Sequence, residues 1–267
     1  MSRVKTLALT VAVLFALAGC AQLFDFNLFG AIDNPPTPTA AEYEGSAGLD
    51  KLDEDLDSPA IVDAMSDAVV AEIANNLWTD YLADGVSGDE DGQAAIVYAD
   101  LALKTTEGEA LVNNIVDTIT TIMGGGTPPD PSDLETLIAG IIPPEALADE
   151  GTFTSMVLAL LAANDAYLAL GAYVDAGNDL PPGSMPGDIA QKALVAWVMA
   201  VTVQAILDDP DMAPITENGA AVQLFLLLTD ATSDSRYDAD IETVDPPDPY
   251  ATMDPGIQAL LDLGMPF

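Results

Sequence analysis

The side chains that most enzymes use for nucleophilic and metal chemistry are scarce in this sequence. The chain of 267 residues contains no histidine and a single cysteine, Cys20. Ser-His-Asp and Cys-His catalysis therefore lack their base, and a zinc site would lack both imidazole and paired thiolate ligands. Carboxylates remain, since Asp and Glu together number 44. Two carboxylates can cleave a glycosidic bond, but so many acidic residues single out no particular pair.

One loop concentrates oxygen ligands of the kind that Ca²⁺ prefers. Asp84, Asp89 and Asp91 lie close together in the sequence, and carboxylate oxygens are hard ligands suited to this ion. The EF-hand spacing is not met, because aligning Gly92 with the invariant glycine of that loop puts Tyr98 where a bidentate Glu belongs. The alternative is a solvated loop whose acidic residues favour the start of the next helix. Both interpretations stay open from the sequence.

A polar pair, Asn164-Asp165, interrupts an apolar segment that covers residues 153–174. In a helix at least one of the two side chains faces packed surface, and a buried carboxylate needs a partner or becomes protonated. Lys192 in the next apolar segment is offset from Asp165 by about 9 Å in an antiparallel helix pair, and is better placed to meet Asp175. Asn164 and Asp165 therefore have either a structural role or a role as polar groups in a ligand pocket.

The elements that would position these residues are predicted to be helices. Residues 153–174 and 189–207 are apolar on nearly all sides, which is typical of buried central helices. Each is also long enough to span a membrane, but Asn164, Asp165 and Lys192 favour a buried core. Further apolar periodicities and caps predict helices over residues 59–85, 94–103, 107–122, 132–141, 216–228 and 257–263.

These helices predict an all-α body over residues 49–267, built as an irregular array of antiparallel helix hairpins, either a bundle or a short α-solenoid. The β-branched run over residues 115–122 leaves a strand as an alternative there. The acidic, proline-containing residues 231–254 are expected to form a long surface loop.

The amino-terminal segment predicts export. Arg3 and Lys5 precede an apolar run over residues 7–17, a pattern typical of a secretory signal. The sequence Leu17-Ala18-Gly19-Cys20 that follows resembles the lipobox of bacterial lipoproteins. That resemblance implies cleavage after a signal peptide of residues 1–19 and lipidation of Cys20. The proline- and glycine-containing residues that follow predict a flexible tether over residues 20–48. It also implies a cell-envelope location, and Ala21 after the cysteine favours the outer membrane over the inner membrane.

The charge of the chain restricts its partners. Loss of Arg3 and Lys5 with the signal peptide leaves four basic residues against 44 acidic ones, a formal charge of −40. Such a field repels nucleic acid and anionic headgroups, so membrane attachment depends on the lipid. An apolar content of 50% nevertheless predicts a folded chain. The acidity fits either simple solubility or adaptation to saline surroundings, where salt screens self-repulsion.

Helix hairpins with alanine-rich faces behind a lipobox resemble helical-repeat lipoproteins, including the tetratricopeptide-type subunits of some periplasmic solute transporters. The hairpins here have no fixed period and do not match the tetratricopeptide consensus, so no functional residue is transferred. We therefore expect a non-catalytic, lipid-anchored binding or scaffold protein that presents an acidic helical surface or pocket to a protein or small solute. The alternative is a carboxylate-only hydrolase of envelope or extracellular glycans. No cofactor other than Ca²⁺ is suggested.

Overall fold

The computed structural model describes residues 37–123, 140–208, 215–229 and 253–264. Within these ranges the regular structure consists of ten α-helices, one 3-10 turn (Ala40–Tyr43) and one π-helical turn (Trp78–Leu82), with no β-strand. The predicted all-α class is confirmed, and the β-branched run that begins at Ile115 lies in a helix. The arrangement as antiparallel hairpins stays a prediction.

The helices are numbered here in chain order. They are α1 (Gly45–Leu56), α2 (Pro59–Val62), α3 (Asp67–Leu77), α4 (Asp89–Lys104), α5 (Gly108–Met123), α6 (Pro144–Ala148), α7 (Glu150–Asp175), α8 (Pro186–Leu207), α9 (Glu217–Thr229) and α10 (Pro255–Gly264). The helices predicted over residues 216–228 and 257–263 are confirmed as α9 and α10. The predicted helix over residues 132–141 and the loop over residues 231–254 fall almost entirely outside the described residues.

The folded body begins earlier than the predicted boundary between tether and domain at residue 48. A 3-10 turn, Ala40–Tyr43, is followed directly by α1. Tyr43 is buried, and its hydroxyl donates a hydrogen bond to the Asp55 carboxylate at 2.9 Å. Gly45 has a φ of +68°, a left-handed conformation that glycine adopts without strain, so a residue expected in a flexible tether starts a helix.

The single helix predicted from Pro59 to Gly85 is wrong. Helix α2 ends at Val62, and α3 begins only after Ser66, whose Oγ accepts a hydrogen bond from the backbone N–H of Val69 at 3.4 Å. The apolar side chains on both sides of this break pack against the same cluster of buried residues. The four-residue spacing therefore predicted correctly which side chains are buried, but it did not predict where the helix is interrupted.

Helix α7 is the central element of the described structure, as predicted for its apolar sequence. It contacts α4, α8, α9 and α10, and its Phe153, Leu160 and Tyr167 side chains are completely buried. Both α7 and α8 are long and apolar enough to cross a membrane, and 56% and 50% of their most apolar windows, respectively, are buried inside the protein. Helices that form the core of a soluble domain share this composition.

Helix α4 joins the two clusters of buried apolar side chains. Ala95 and Ala99 belong to the cluster around α7 and α8, while Ala94 and Val97 belong to the cluster formed with α1 and α3. Small side chains on both faces allow neighbouring helices to approach α4 closely. The alanine-rich helix α4 therefore packs against both clusters. Asp100 lies on the same helix.

Helices α7 and α10 make backbone contact at a pair of glycines. A Cβ atom added to Gly256 would lie 2.8 Å from the carbonyl carbon of Gly171 and from the amide nitrogen of Ala172. Only glycine fits this crossing, because backbone atoms cannot move aside as a flexible side chain can. The contact fixes the start of α10 against the carboxyl-terminal part of α7.

Candidate functional site

A cleft of about 460 Å³ lies between α1, α4, α8 and the loop that leads into α8. Five carboxylates and two lysines line it, together with apolar side chains and the proline-rich loop. The charged residues are Asp53, Asp57, Asp100, Lys104, Glu109, Asp188 and Lys192. We call this surface the acidic cleft, because its described residues carry a formal charge of −3 when all are ionised.

Lys192 joins two helices within the acidic cleft. Its Nζ lies 2.8 Å from the Asp100 carboxylate on α4 and 2.9 Å from the Asp188 carboxylate, one turn earlier on α8. The residue is only 7% exposed. Burial by itself lowers the pKa of Lys192, but the two carboxylates reverse this effect and raise the pKa above its usual value. The buried ammonium is therefore charged at neutral pH.

The predicted position of Lys192 near Asp175 is wrong. The prediction considered only the pairing of α7 with α8, whereas the partner Asp100 comes from α4, which also packs against α7. A partner so distant in sequence cannot be found from the register of one hairpin. Lysine is rare in this sequence, and two of the three lysines in the described residues line this one cleft. The rarity of lysine was therefore the sequence feature that could have indicated this surface.

The remaining charges of the cleft are unevenly paired. The Nζ atom of Lys104 lies 2.9 Å from the exposed carboxylate of Asp57. Partial desolvation raises the pKa of the exposed Asp53, and the nearby Asp100 and Asp57 carboxylates raise it further. Added positive charge would act in the opposite direction and favour the ionised form of Asp53. A cationic group entering the cleft would supply that charge.

The cleft is lined by charged, polar and aliphatic side chains and by the proline-rich loop. None of its described lining residues is aromatic, although glycan enzymes commonly place aromatic platforms against the sugar. Both of its lysines are held by carboxylates at salt-bridge distance. What the arrangement offers chemically is a concave, net negative surface whose two lysines are ion-paired with carboxylates.

The structure places Asn164 at a second cavity, of about 440 Å³, between α7, α8 and the start of α10. Trp197 and Val201 of α8 and Pro255 of α10 line the same space. Asn164 is 6% exposed, and its Oδ1 atom accepts no hydrogen bond from any described residue. The predicted polar group between the two most apolar helices is thus found beside a cavity.

Asp165 does not share this position. Its side chain is exposed and is not among the described residues that line the cavity. Partial burial raises the pKa of Asp165, and the negative charge of Glu217 on α9 adds to the effect. A side-chain hydrogen bond with Asn164 acts on this pKa in the opposite direction. Of the predicted pair, only Asn164 is among the described residues that line the cavity.

The candidate Ca²⁺ ligands Asp84, Asp89 and Asp91 are not brought together. The described part of the chain contains no group of three or more carboxylate, histidine or cysteine side chains placed to hold a metal ion. The Asp91 carboxylate instead accepts hydrogen bonds from the backbone N–H and the hydroxyl of Ser87, at 3.0 and 2.6 Å. These contacts belong to the turn that precedes α4, the structural alternative for this loop.

Cys20 and the signal peptide over residues 1–19 lie outside the described residues. Lipidation and the membrane location therefore stay predictions from the sequence. The chain matches no protein-family model, no curated protein and no solved structure.

Proposed function

We propose that this chain is a lipid-anchored binding protein of the bacterial cell envelope that holds a cationic group of a protein or small solute in the acidic cleft. The observation that carries the proposal is the cleft itself, where five carboxylates outnumber two lysines on one concave surface. The raised pKa of Asp53 supports it, because an additional cation would relieve the repulsion among its neighbouring carboxylates. No catalytic group is required for this role.

The anchor is proposed from the lipobox-like sequence around Cys20 and favours the outer membrane. An anchored protein needs no membrane affinity of its own, and the formal charge of −40 left after cleavage disfavours contact with anionic headgroups. Expressed in a bacterium with its leader, the protein is expected to take up labelled palmitate and to partition into detergent. Cys20→Ser should abolish both properties, and unlabelled wild-type protein would contradict the anchor.

The binding role is tested by crosslinking and affinity recovery of partners from native membranes with the intact lipoprotein. A specific partner should be recovered at low salt and lost as salt rises, since exposed charges are screened. The variant Asp53→Asn/Glu109→Gln removes two negative charges from the cleft and should lose that partner. The control Asp63→Asn/Glu72→Gln removes the same charge from exposed positions that are not among the described lining residues, and should retain it.

Two outcomes contradict the proposal. Equal loss of the partner in both variants would show that total charge, rather than the cleft, governs binding. Failure to recover any partner at any salt, combined with turnover of a glycan panel that disappears when a carboxylate pair is replaced, would favour the alternative hydrolase.

A further inference from the structure

Two Asp-Gly pairs lie just before and at the start of α4. They are Asp84-Gly85, in the turn after the π-helical turn Trp78–Leu82, and Asp91-Gly92, in the first turn of the helix. In such a pair the glycine nitrogen can attack the side-chain carbonyl carbon of the aspartate, because no Cβ on the second residue hinders the approach. The ring that forms has five members, so the two groups meet only when the aspartate rotates about ψ and χ1. Local restraint therefore decides whether each pair reacts.

The Asp84-Gly85 pair is open to this rotation. The exposed Asp84 side chain forms no hydrogen bond or ion pair with any described residue. Gly85 has a φ of +84°, and a Cβ atom added to it would find no atom within 4 Å. The N–H of Gly85 donates a hydrogen bond to the carbonyl oxygen of Leu82 at 2.9 Å. Among the described residues, this turn hydrogen bond is therefore the one that opposes the reaction.

The Asp91-Gly92 pair is held in place. The Asp91 carboxylate accepts hydrogen bonds from the backbone N–H and the hydroxyl of Ser87, at 3.0 and 2.6 Å. The N–H of Gly92 donates a hydrogen bond to the carbonyl oxygen of Gly88 at 2.9 Å. Gly92 is also buried, and a Cβ atom added to it would lie 2.7 Å from Cγ of Pro181. Rotation of Asp91 would break these hydrogen bonds and disturb the packing of α4, so it requires local opening of the helix.

We propose that Asp84 is a modification site at which the folded chain forms isoaspartate without an enzyme, and that Asp91 is protected from this reaction. In its protonated form the Asp84 carboxyl group loses its hydroxyl as water with the amide proton of Gly85, and a C–N bond closes the ring. Water then opens the ring. Addition at the side-chain carbonyl restores aspartate, whereas addition at the main-chain carbonyl releases the α-carboxylate and leaves the peptide bond on the side-chain carbonyl. The charge is unchanged, but one methylene group enters the backbone of the turn before α4.

The experiment incubates the purified protein near neutral pH and measures isoaspartate at each pair. Isoaspartyl methyltransferase labels the released α-carboxylate, and peptide mapping assigns the label to Asp84 or Asp91. We expect isoaspartate to accumulate at least ~10-fold faster at Asp84, since more hydrogen bonds must open at Asp91 before it can rotate. In a denaturing concentration of urea neither pair is held, so the two rates should become similar.

Asp84→Glu is the test variant, because its extra methylene group enlarges the ring and removes the fast reaction while keeping the charge. It should lose the label from the peptide that contains residue 84. The matched control Asp91→Glu keeps Asp84 and should be labelled there as the parent is. The pair Asn218-Gly219 in α9 is told apart in the map, because its deamidation changes the peptide mass whereas isomerisation of Asp84 does not.

Three results overturn the proposal. They are the absence of isoaspartate at Asp84 in the folded protein, equal rates at Asp84 and Asp91 in the folded protein, and an undiminished label on the same peptide of Asp84→Glu. Neither Asp84 nor Gly85 is among the described residues that line the acidic cleft, so the outcome is independent of the function proposed for the cleft.

Discussion

Replacing Lys192 with methionine tests the ion pair that joins α4 to α8. The side chains of Asp100 and Asp188 are 14% and 44% exposed, respectively. Without the ammonium, Asp188 recovers much of its hydration, whereas Asp100 is left largely buried beside its apolar neighbours. Removal of one partner from a buried pair costs about 3–5 kcal/mol. Because one of the two carboxylates is well solvated, we expect a loss of about 3 kcal/mol in the free energy of unfolding.

Matched variants separate the ion pair from general effects of substitution. Asp100→Asn leaves Lys192 paired with Asp188, so the expected loss is only about 1–2 kcal/mol. The double variant Lys192→Met/Asp100→Leu removes both charges, and its stability should return to within about 1 kcal/mol of the parent, since apolar packing can replace a buried pair. Lys51→Met is the control, because the Lys51 ammonium is 43% exposed and can be replaced by water at both of its partners, Glu42 and Asp55, so its expected cost is about 1 kcal/mol or less.

Urea unfolding followed by circular dichroism measures these differences, and pH gives an independent check. The pKa of Lys192 is raised above its ordinary value of 10.5 in the folded protein. A raised pKa means that the folded state binds the proton more tightly, so the stabilisation is complete below pH 10.5 and is lost as pH rises through the folded pKa. The difference between the parent and Lys192→Met should therefore be constant near neutrality and shrink above about pH 10.5. If Lys192→Met is no more destabilising than Lys51→Met, the reasoning is refuted.

Three further predictions follow from the fold. Tyr43→Phe should lower the free energy of unfolding by about 1 kcal/mol, because it removes a hydrogen bond to a carboxylate. Tyr167→Phe should raise it by about 1 kcal/mol, because the buried Tyr167 hydroxyl has no partner among the described residues. Urea unfolding that gives both variants the same sign would contradict this. Gly171→Ala should lower the free energy of unfolding by about 3 kcal/mol or more, since its Cβ would meet the backbone of α10. The control Gly187→Ala, whose Cβ would make only ordinary contact, should leave the melting temperature unchanged or slightly higher. Equal effects of the two substitutions would argue against the close crossing. The melting temperature of the chain from residue 20 onward should rise from low to molar sodium chloride as its net charge is screened, and a flat response would remove the saline-adaptation hypothesis.

Local sequence patterns determined the class and the main elements of this protein. Apolar content on all sides marked α7 and α8 as central helices, because such segments are stable only when neighbours cover them. The same logic placed Asn164 between apolar helices and made it a candidate pocket residue before any cavity was known. Each of these inferences needs only neighbours within one or two helical turns.

Local patterns were less reliable at boundaries. The apolar repeat from Ile61 to Tyr81 is shared by two helices that pack on one cluster, so it hid the break capped by Ser66. Glycine and serine near residue 45 are typical of a tether, yet they begin α1 because Tyr43 and Leu49 are buried against neighbouring helices. Tertiary burial outweighed the weak local preference in both segments.

Only the tertiary structure decided which charges meet between helices. Asp188 and Lys192 are brought together by their i,i+4 spacing on α8, but Asp100 joins them because α4 and α8 face each other across the acidic cleft, and no local spacing encodes that approach. The same holds for the contact of Gly171 with Gly256, where two backbones meet across a long stretch of sequence. Periodicity reports which face of a helix is buried, whereas the choice of partner for that face depends on packing among all the helices at once.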